Sequence, residues 1–336
     1  MSPTSYRAAP PRINVGRIIH RFKVAASLFL KYYEFLSLFF EFVTLYGPFL
    51  RSMALHDYYL GLPQWQHPVW ESGCLAGGGS ALQRYARQFS SVEGNTTFYG
   101  LPKPDTVQRW HDETPDDFRF CFKFHQDLSH RSALEVAHPK VAEQFQVLEP
   151  LAGKIGLLNL QLPKSFNSEG IEHLHRFFSA LPDTFNYSVE VRHPEFFDKG
   201  DEEREFNQML LETGVNRVMF DTRPIFAVTA SDSATLDAQQ KKPKVPLHVI
   251  ATGQNPQVRF ISTMQWQQSE RYLDQWVSKA LQWIEEGRVP YLFFHTPDCA
   301  EAPELAARFV HKLKLAKPTL QGATPELLAS EQGALF

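Results

Sequence analysis

Between Tyr58 and Leu315, short apolar runs alternate with stretches of helical spacing eight times over, and few folds accommodate that rhythm. The runs read as strands at Tyr58–Gly61, Ser91–Glu93, Phe118–Phe124, Ile155–Gln161, Tyr187–Glu190, Val215–Asp221, Val258–Ile261 and Pro290–Phe294. Ile155–Gln161 is largely apolar, as a parallel strand covered on both faces should be. Helical patterns follow at 81–89, 105–112, 141–148, 169–181, 202–213, 270–286 and 300–315. Asp105, backed by Thr106, reads as the N-cap of the second of these. The sixth unit is the exception: residues 222–257 are polar and proline-bearing, and read as a lid-like loop whose lysines, Lys241, Lys242 and Lys244, are solvated. Eight strand–helix units with a degenerate sixth helix and a long loop predict an α/β fold, a (β/α)₈ TIM-type barrel.

The polar residues fall where such a barrel would use them. Glu93, Lys123, Gln161, Glu190, Asp221, Arg259 and His295 come from seven different strands, all but Arg259 near the C-terminal ends. Asn95, Thr97 and Tyr99 follow the second strand, His130 lies in the third loop, and Arg192 and His193 follow the fifth. C-terminal strand ends converge on the mouth where barrel enzymes do their chemistry. Each residue also has a plain structural alternative: Glu190 with Arg192, and Lys123 with Glu93, could be ion pairs closing the barrel end, and Gln161 could satisfy loop backbone groups. Lys123, Arg192 and Arg259 set against Glu93, Glu190 and Asp221 suit a small polar ligand carrying a phosphate or carboxylate. The reading is an acid–base enzyme, a hydrolase or isomerase, with Glu190 or Glu93 as base and His193 or His130 as partner. A second enzymatic reading makes Lys123 a Schiff-base nucleophile. The non-enzymatic reading is a protein that senses a ligand. No HExxH motif occurs and no metal ligands are assigned; the Glu, Asp and His set is compatible with a divalent metal, and no organic cofactor is implied.

Several stretches stand in the order and spacing of a known family: VEGNTTFYGLP from Val92, RW at 109–110, TPDDFRFCFKFHQDLSH from Thr114, GLLNLQLP from Gly156, VEVRHPEFF from Val189, VMFD from Val218 and EAP from Glu301. In these the chain resembles the YecE-like family, the proteins carrying domain of unknown function 72, across roughly Tyr58 to Leu315. The resemblance implies a cytoplasmic bacterial TIM barrel of unestablished reaction, and places Glu93, Asn95, Thr97, Tyr99, Lys123, His130, Gln161, Glu190, Arg192, His193, Asp221 and Arg259 at family positions. Where the family opens with Gly-Thr-Ser-Gly-Trp, this chain has Gly61, Leu62, Pro63, Gln64 and Trp65, keeping the tryptophan, which is expected to bind substrate. Phe260, Ile261 and Ser262 replace Phe-His-Gly. The asparagines of strand eight are replaced around His295 and Thr296, and Ala300 replaces a glycine. These departures concern the ligand rather than the fold.

The two ends differ from the barrel. Residues 1–52 begin with Arg7, Arg12, Arg17, Arg21 and Lys23 and continue into a Phe- and Leu-rich run interrupted by Lys31, Glu34 and Glu41, so a clean membrane span is not expected. A transit peptide or an amphipathic surface helix fits; the preferred reading is an upstream extension, with Met53 as the start. Residues 53–315 form the barrel, and 316–336 are expected to be a flexible tail. The terminal Gln332, Leu335 and Phe336 resemble the peptide by which bacterial replication and repair proteins dock on the sliding clamp, which would make this a nucleic-acid-processing protein. A net charge of −3 gives no global attraction to nucleic acid. Three cysteines without a CxxC pair predict free thiols and a reducing, cytoplasmic home.

Overall fold

The computed structural model of the 336-residue chain describes residues 56–131 and 134–327. The expectations for 1–52, and for Gln332, Leu335 and Phe336, lie outside the described residues. Eight parallel strands close a barrel in sequence order: β1 (Tyr59–Leu62), β2 (Ser91–Gly94), β3 (Arg119–Lys123), β4 (Ile155–Gln161), β5 (Tyr187–Glu190), β6 (Asn216–Asp221), β7 (Gln257–Ile261) and β8 (Tyr291–His295). β1 pairs with β2 on one side and with β8 on the other, Tyr59 opposite Tyr291. One principal helix follows each strand: α1 (Ala81–Ala86), α2 (Pro104–Asp112), α3 (Pro139–Leu148), α4 (Ile171–Ser179), α5 (Asp201–Thr213), α6 (Ser233–Lys241), α7 (Glu270–Glu285) and α8 (Ala302–Ala316).

Side chains alternate across each strand, so one set fills the barrel and the other meets the helices. The outward set forms the main core, with Leu158 and Leu160 of β4, Val189 of β5 and Phe260 of β7 packed among Phe177, Trp276 and Phe309. Tyr59, Cys121, Leu157, Tyr291 and Phe293 make a separate cluster inside the barrel, where Tyr59 and Tyr291 stack at 4.6 Å. Gly61 lies at the narrow part of this interior: a Cβ there would stand 2.4 Å from the Ser91 carbonyl oxygen and 2.9 Å from the Phe293 ring. Above the apolar cluster the interior turns polar. The Gln257 amide oxygen accepts from Ser188 at 2.6 Å and from Asn159 at 3.3 Å.

Three expectations are corrected. α2 starts one residue earlier than expected; Lys103 is its N-cap, Pro104 takes the first helical position, and Asp105 lies in the first turn, where its charge favours the helix dipole. The segment expected to be a lid-like loop contains a short helix, Arg223–Phe226, and α6, whose cap Asp232 accepts from Thr235 N at 2.7 Å. Finally, α8 runs to Ala316, and the segment expected to be a flexible tail is fastened as far as Glu326. Gln321 O accepts from Asp57 N at 2.8 Å, Tyr58 Oη donates to Ala323 O at 2.8 Å, and Glu326 N donates to Gln88 at 2.8 Å. The boundary drawn at residue 315 is thus too early. Among the described residues, no helix is long and apolar enough to cross a membrane.

Candidate functional site

The C-terminal ends of the strands hold a buried ion cluster centred on Arg259. Strand parity turns Glu93, Lys123, Gln161, Glu190, Arg259 and His295 into the barrel, one from each of six strands. Arg259 Nε lies 2.9 Å from Oε1 and 3.0 Å from Oε2 of Glu93, while its Nη1 donates to Glu190 Oε2 at 2.6 Å. Its guanidinium rests 4.6 Å from the centre of the Phe220 ring. Arg192 donates from Nε and Nη2 to the other oxygen of Glu190, at 2.8 and 2.5 Å. The two carboxylates are thereby tied through one arginine, and all three side chains are buried.

Lys123 occupies the opposite side of Glu93. Its ammonium donates to Gln161 Oε1 at 2.7 Å and stands 3.7 Å from Glu93 Oε1, with the Phe98 ring 5.8 Å away. The end of β3 is fixed from behind, because the Lys123 carbonyl accepts from Thr97 Oγ1 at 2.7 Å and from Gln144 Nε2 at 2.9 Å. His295 Nε2 lies 3.3 Å from Glu93 Oε2.

These surroundings set the charge states. Burial alone would raise the carboxyl of Glu93, but Arg259, the hydrogen bond from His295 and Lys123 outweigh it and hold the group well below the usual range. Glu190 is held at about 2, with Arg259, Arg192 and Lys123 overcoming its burial. Lys123 moves the other way, down to about 8, through burial first and repulsion from Arg259 second, against the pull of Glu93 and Glu190. Burial, with Arg259 adding to it, brings His295 down to about 4 against the pull of Glu93, so its imidazole is neutral at pH 7.

The remaining expected site residues are placed less centrally. His130 is lowered by burial and by Arg192; its Nδ1 lies 2.7 Å from Ser129 Oγ. His193 is half-buried against Phe196, with Nδ1 3.7 Å from Glu195, so the histidine beside a carboxylate of the cluster is His295 and not His193 or His130. Asn95 ties its loop to Pro63 O at 3.1 Å, and Tyr99 is 73% exposed. Trp65 does not join the cluster. It packs edge-on against Trp110 at 5.3 Å and Phe120 at 6.5 Å, on the helix-facing side of β3.

Asp221 is likewise not brought to the mouth. Its parity is opposite to that of Phe220, which meets Arg259 inside the barrel, and it faces α7. There it accepts from Trp276 Nε1 at 2.8 Å and from Nε and Nη2 of Arg223 at 2.9 and 2.8 Å. Asp221→Ala is expected to cost about 1–3 kcal/mol by leaving the buried indole N–H without an acceptor. Urea unfolding will measure that loss.

One residue missed by the sequence reading is Lys242, at the end of α6. It was read as solvated, yet it is half-buried, and its pKa is lowered by burial and then by Arg259, with Glu93 and Glu190 opposing. The mouth therefore carries Lys123, Arg192 and Arg259 against Glu93 and Glu190, with Lys242 near enough for its charge to act on them. Among the described residues, neither Lys242 Nζ nor Arg192 Nη1 has a hydrogen-bond acceptor.

A family model described as "Protein of unknown function DUF72" matches residues 59–329, which takes in every strand of the barrel. The chain belongs to the DUF72 family. The UPF0759 protein YecE of Escherichia coli strain K12 is 46% identical over 278 residues, covering 83% of this chain and 99% of that protein. The same protein from Escherichia coli O157:H7 matches to the same extent. Solved DUF72 structures share the fold at low identity. One from Enterococcus faecalis has a TM-score of 0.60 at 17% identity, covering 81% of this chain and 99% of its own. One from Thermotoga maritima has a TM-score of 0.58 at 21% identity, covering 77% and 100%. In this DUF72 barrel, among the described residues, no group of three or more His, Cys, Asp or Glu side chains is arranged to hold a metal ion.

Proposed function

We propose that this DUF72 protein binds a small polar anion at the C-terminal mouth of its barrel and performs acid–base chemistry on it, of the isomerase or hydrolase class. The observation that carries the reading is the excess of cations at the mouth: Lys123, Arg192 and Arg259 surround Glu93 and Glu190, Lys242 adds its charge to their field, and among the described residues Arg192 Nη1 and Lys242 Nζ have no acceptor. A phosphate or carboxylate would satisfy both.

The carboxylates are poor bases at neutral pH, since Arg259 holds both in the ionised form. That argues against Glu190 or Glu93 taking the substrate's proton and favours Lys123. Its pKa of about 8 lets it exchange a proton near neutrality. Glu93 and Glu190 then serve to hold Arg259 and to balance the charge.

Binding is tested first with inorganic phosphate and small carboxylates by thermal shift. Wild-type protein should be stabilised by about 2.7 kcal/mol at a hundredfold excess over Kd. Lys242→Met should weaken binding roughly tenfold, the worth of one charge-assisted contact, and added salt should narrow the difference. No shift with any anion would end the reading. Enzyme and sensor separate on Lys123→Arg, which keeps the charge: an enzyme loses turnover while retaining its anion, whereas a sensor loses affinity alone.

A further inference from the structure

Lys123 differs from a surface lysine in three respects visible in the geometry. It is the last residue of β3, and its main chain is clamped by Thr97 and Gln144. Among the described residues its ammonium has one hydrogen-bond acceptor, the neutral amide of Gln161, and no carboxylate within hydrogen-bond distance, Glu93 being 3.7 Å away. It also lies beside the apolar face of Phe98 and within the field of Arg259 and Arg192, with 7% of its side chain exposed. Burial and the two arginines oppose its charge while Glu93 and Glu190 favour it, and the balance leaves an ammonium that gives up its proton more readily than a surface lysine does.

We infer that Lys123 condenses with the aldehyde or ketone carbonyl of an anionic substrate to form an imine, while Lys242 and Arg192 receive the substrate's anionic group. This deepens, and rests on, the anion-binding reading of the mouth. Lys123 first gives a proton to solvent. The free amine then adds to the carbonyl carbon, and the carbonyl oxygen takes up the electron pair of the broken π bond and is protonated, giving a carbinolamine. Loss of that oxygen as water leaves a protonated imine. Nothing is oxidised or reduced; the ammonium and the carbonyl compound become an iminium ion and one water. The iminium withdraws electrons from the adjacent carbon and acidifies its C–H, the activation that an isomerase requires.

The anionic end has a place to go. Arg192 spends Nε and Nη2 on Glu190, its Nη1 has no acceptor among the described residues, and the half-buried Lys242, just after α6, lies within the field of Arg259, Glu93 and Glu190. The substrate class is thus a short α- or β-oxo carboxylate, or an aldehyde or ketone carrying a phosphate. The two are separated below by probe.

Full-length protein is incubated with pyruvate or with glycolaldehyde phosphate in the presence of cyanoborohydride, and adducts are located by peptide mass spectrometry. The expected result is a single reduced adduct on Lys123 with at least one of the two probes, its yield rising as pH increases through about 8 as the amine is populated. Lys123→Arg keeps the cation but cannot condense, and should lose the adduct while retaining the fold; Lys123→Met provides a second such variant. Lys242→Met should retain the adduct site but require roughly tenfold more probe. Label spread equally over exposed lysines such as Lys164, or an adduct that survives Lys123→Arg, would overturn the inference. Lactate, which has no carbonyl, separates the two levels. If lactate and pyruvate stabilise the protein alike and no adduct is trapped, the imine falls and anion binding stands. If no probe stabilises the protein and none is trapped, both fall.

Discussion

Arg259→Met is expected to destabilise the barrel by about 3–5 kcal/mol, because it leaves two buried carboxylates facing one another with their shared cation removed. Glu93, Glu190 and Arg259 are each at most 4% exposed, so water cannot substitute for the lost guanidinium. The loss should depend on pH in a definite direction. In the wild type both carboxyl groups are held below their unfolded values, so their contribution is present above about pH 4.5 and is lost as pH falls toward about 2. In the variant each carboxyl loses its largest opposing cation while Arg192, Lys123 and His295 remain, so both groups should rise from their wild-type values and the stability they contribute at pH 7 should shrink. The gap between wild type and variant in urea unfolding should therefore be widest near neutrality and narrow toward pH 3. A gap constant across that range would mean that the carboxylates are not coupled through Arg259.

A loss of similar size is expected at a site with no part in the chemistry. Arg217 is 1% exposed on the outer side of β6, donating from Nη1 to Glu203 at 2.9 Å and to Asn207 at 2.7 Å. The guanidinium also lies 5.0 Å from the Phe197 ring. Glu203 on α5 accepts in addition from His248 Nδ1 at 2.6 Å and from Lys199 N at 2.8 Å. Glu203→Ala removes the only carboxylate that pairs with the arginine among the described residues, leaving it Asn207 and the Phe196 carbonyl, and should cost about 3–5 kcal/mol, again read by urea unfolding. The pair of variants shows why a buried ion pair is not by itself a sign of function. The mouth is distinguished by cations in excess and by donors left over, not by burial.

How much of this was legible in the chain varies from element to element, for physical reasons. β4 and β5 have the bounds read from sequence because each ends on a polar residue, Gln161 and Glu190, where the strand reaches the mouth. α6 was overlooked because Ser233–Lys241 is mostly polar, although Asp232 ahead of a stretch rich in helix formers was a capping signal present in the sequence. Pro104 likewise marked the start of α2 better than Asp105 did. The site was legible as a set of strand ends and illegible in its parity. Asp221 and Glu190 look alike as acidic residues closing a strand, and only the pairing of β6 with its neighbours turns one outward and the other inward. Lys242 could not be recognised as a member of the mouth, because its neighbours there come from β2, β5 and β7, far away along the chain.

The seam between β1 and β8 governs how the domain is assembled. Every other strand pair is completed by one strand–helix unit, but the closing pair and the fastening beneath it join opposite ends of the domain, Tyr58 and Ala323 being 265 positions apart. Closing so long a loop costs entropy before any contact compensates for it. Until it closes, β1 and β8 are free edges, and Tyr59, Tyr291 and Phe293 have no finished interior to fill. Arg259 faces the same delay, since one of its carboxylates stands on β2 and the other on β5. The link from Arg259 to Glu190 needs only β5 to β7, whereas its link to Glu93 spans 166 positions, so the complete charged centre waits on the meeting of distant strands.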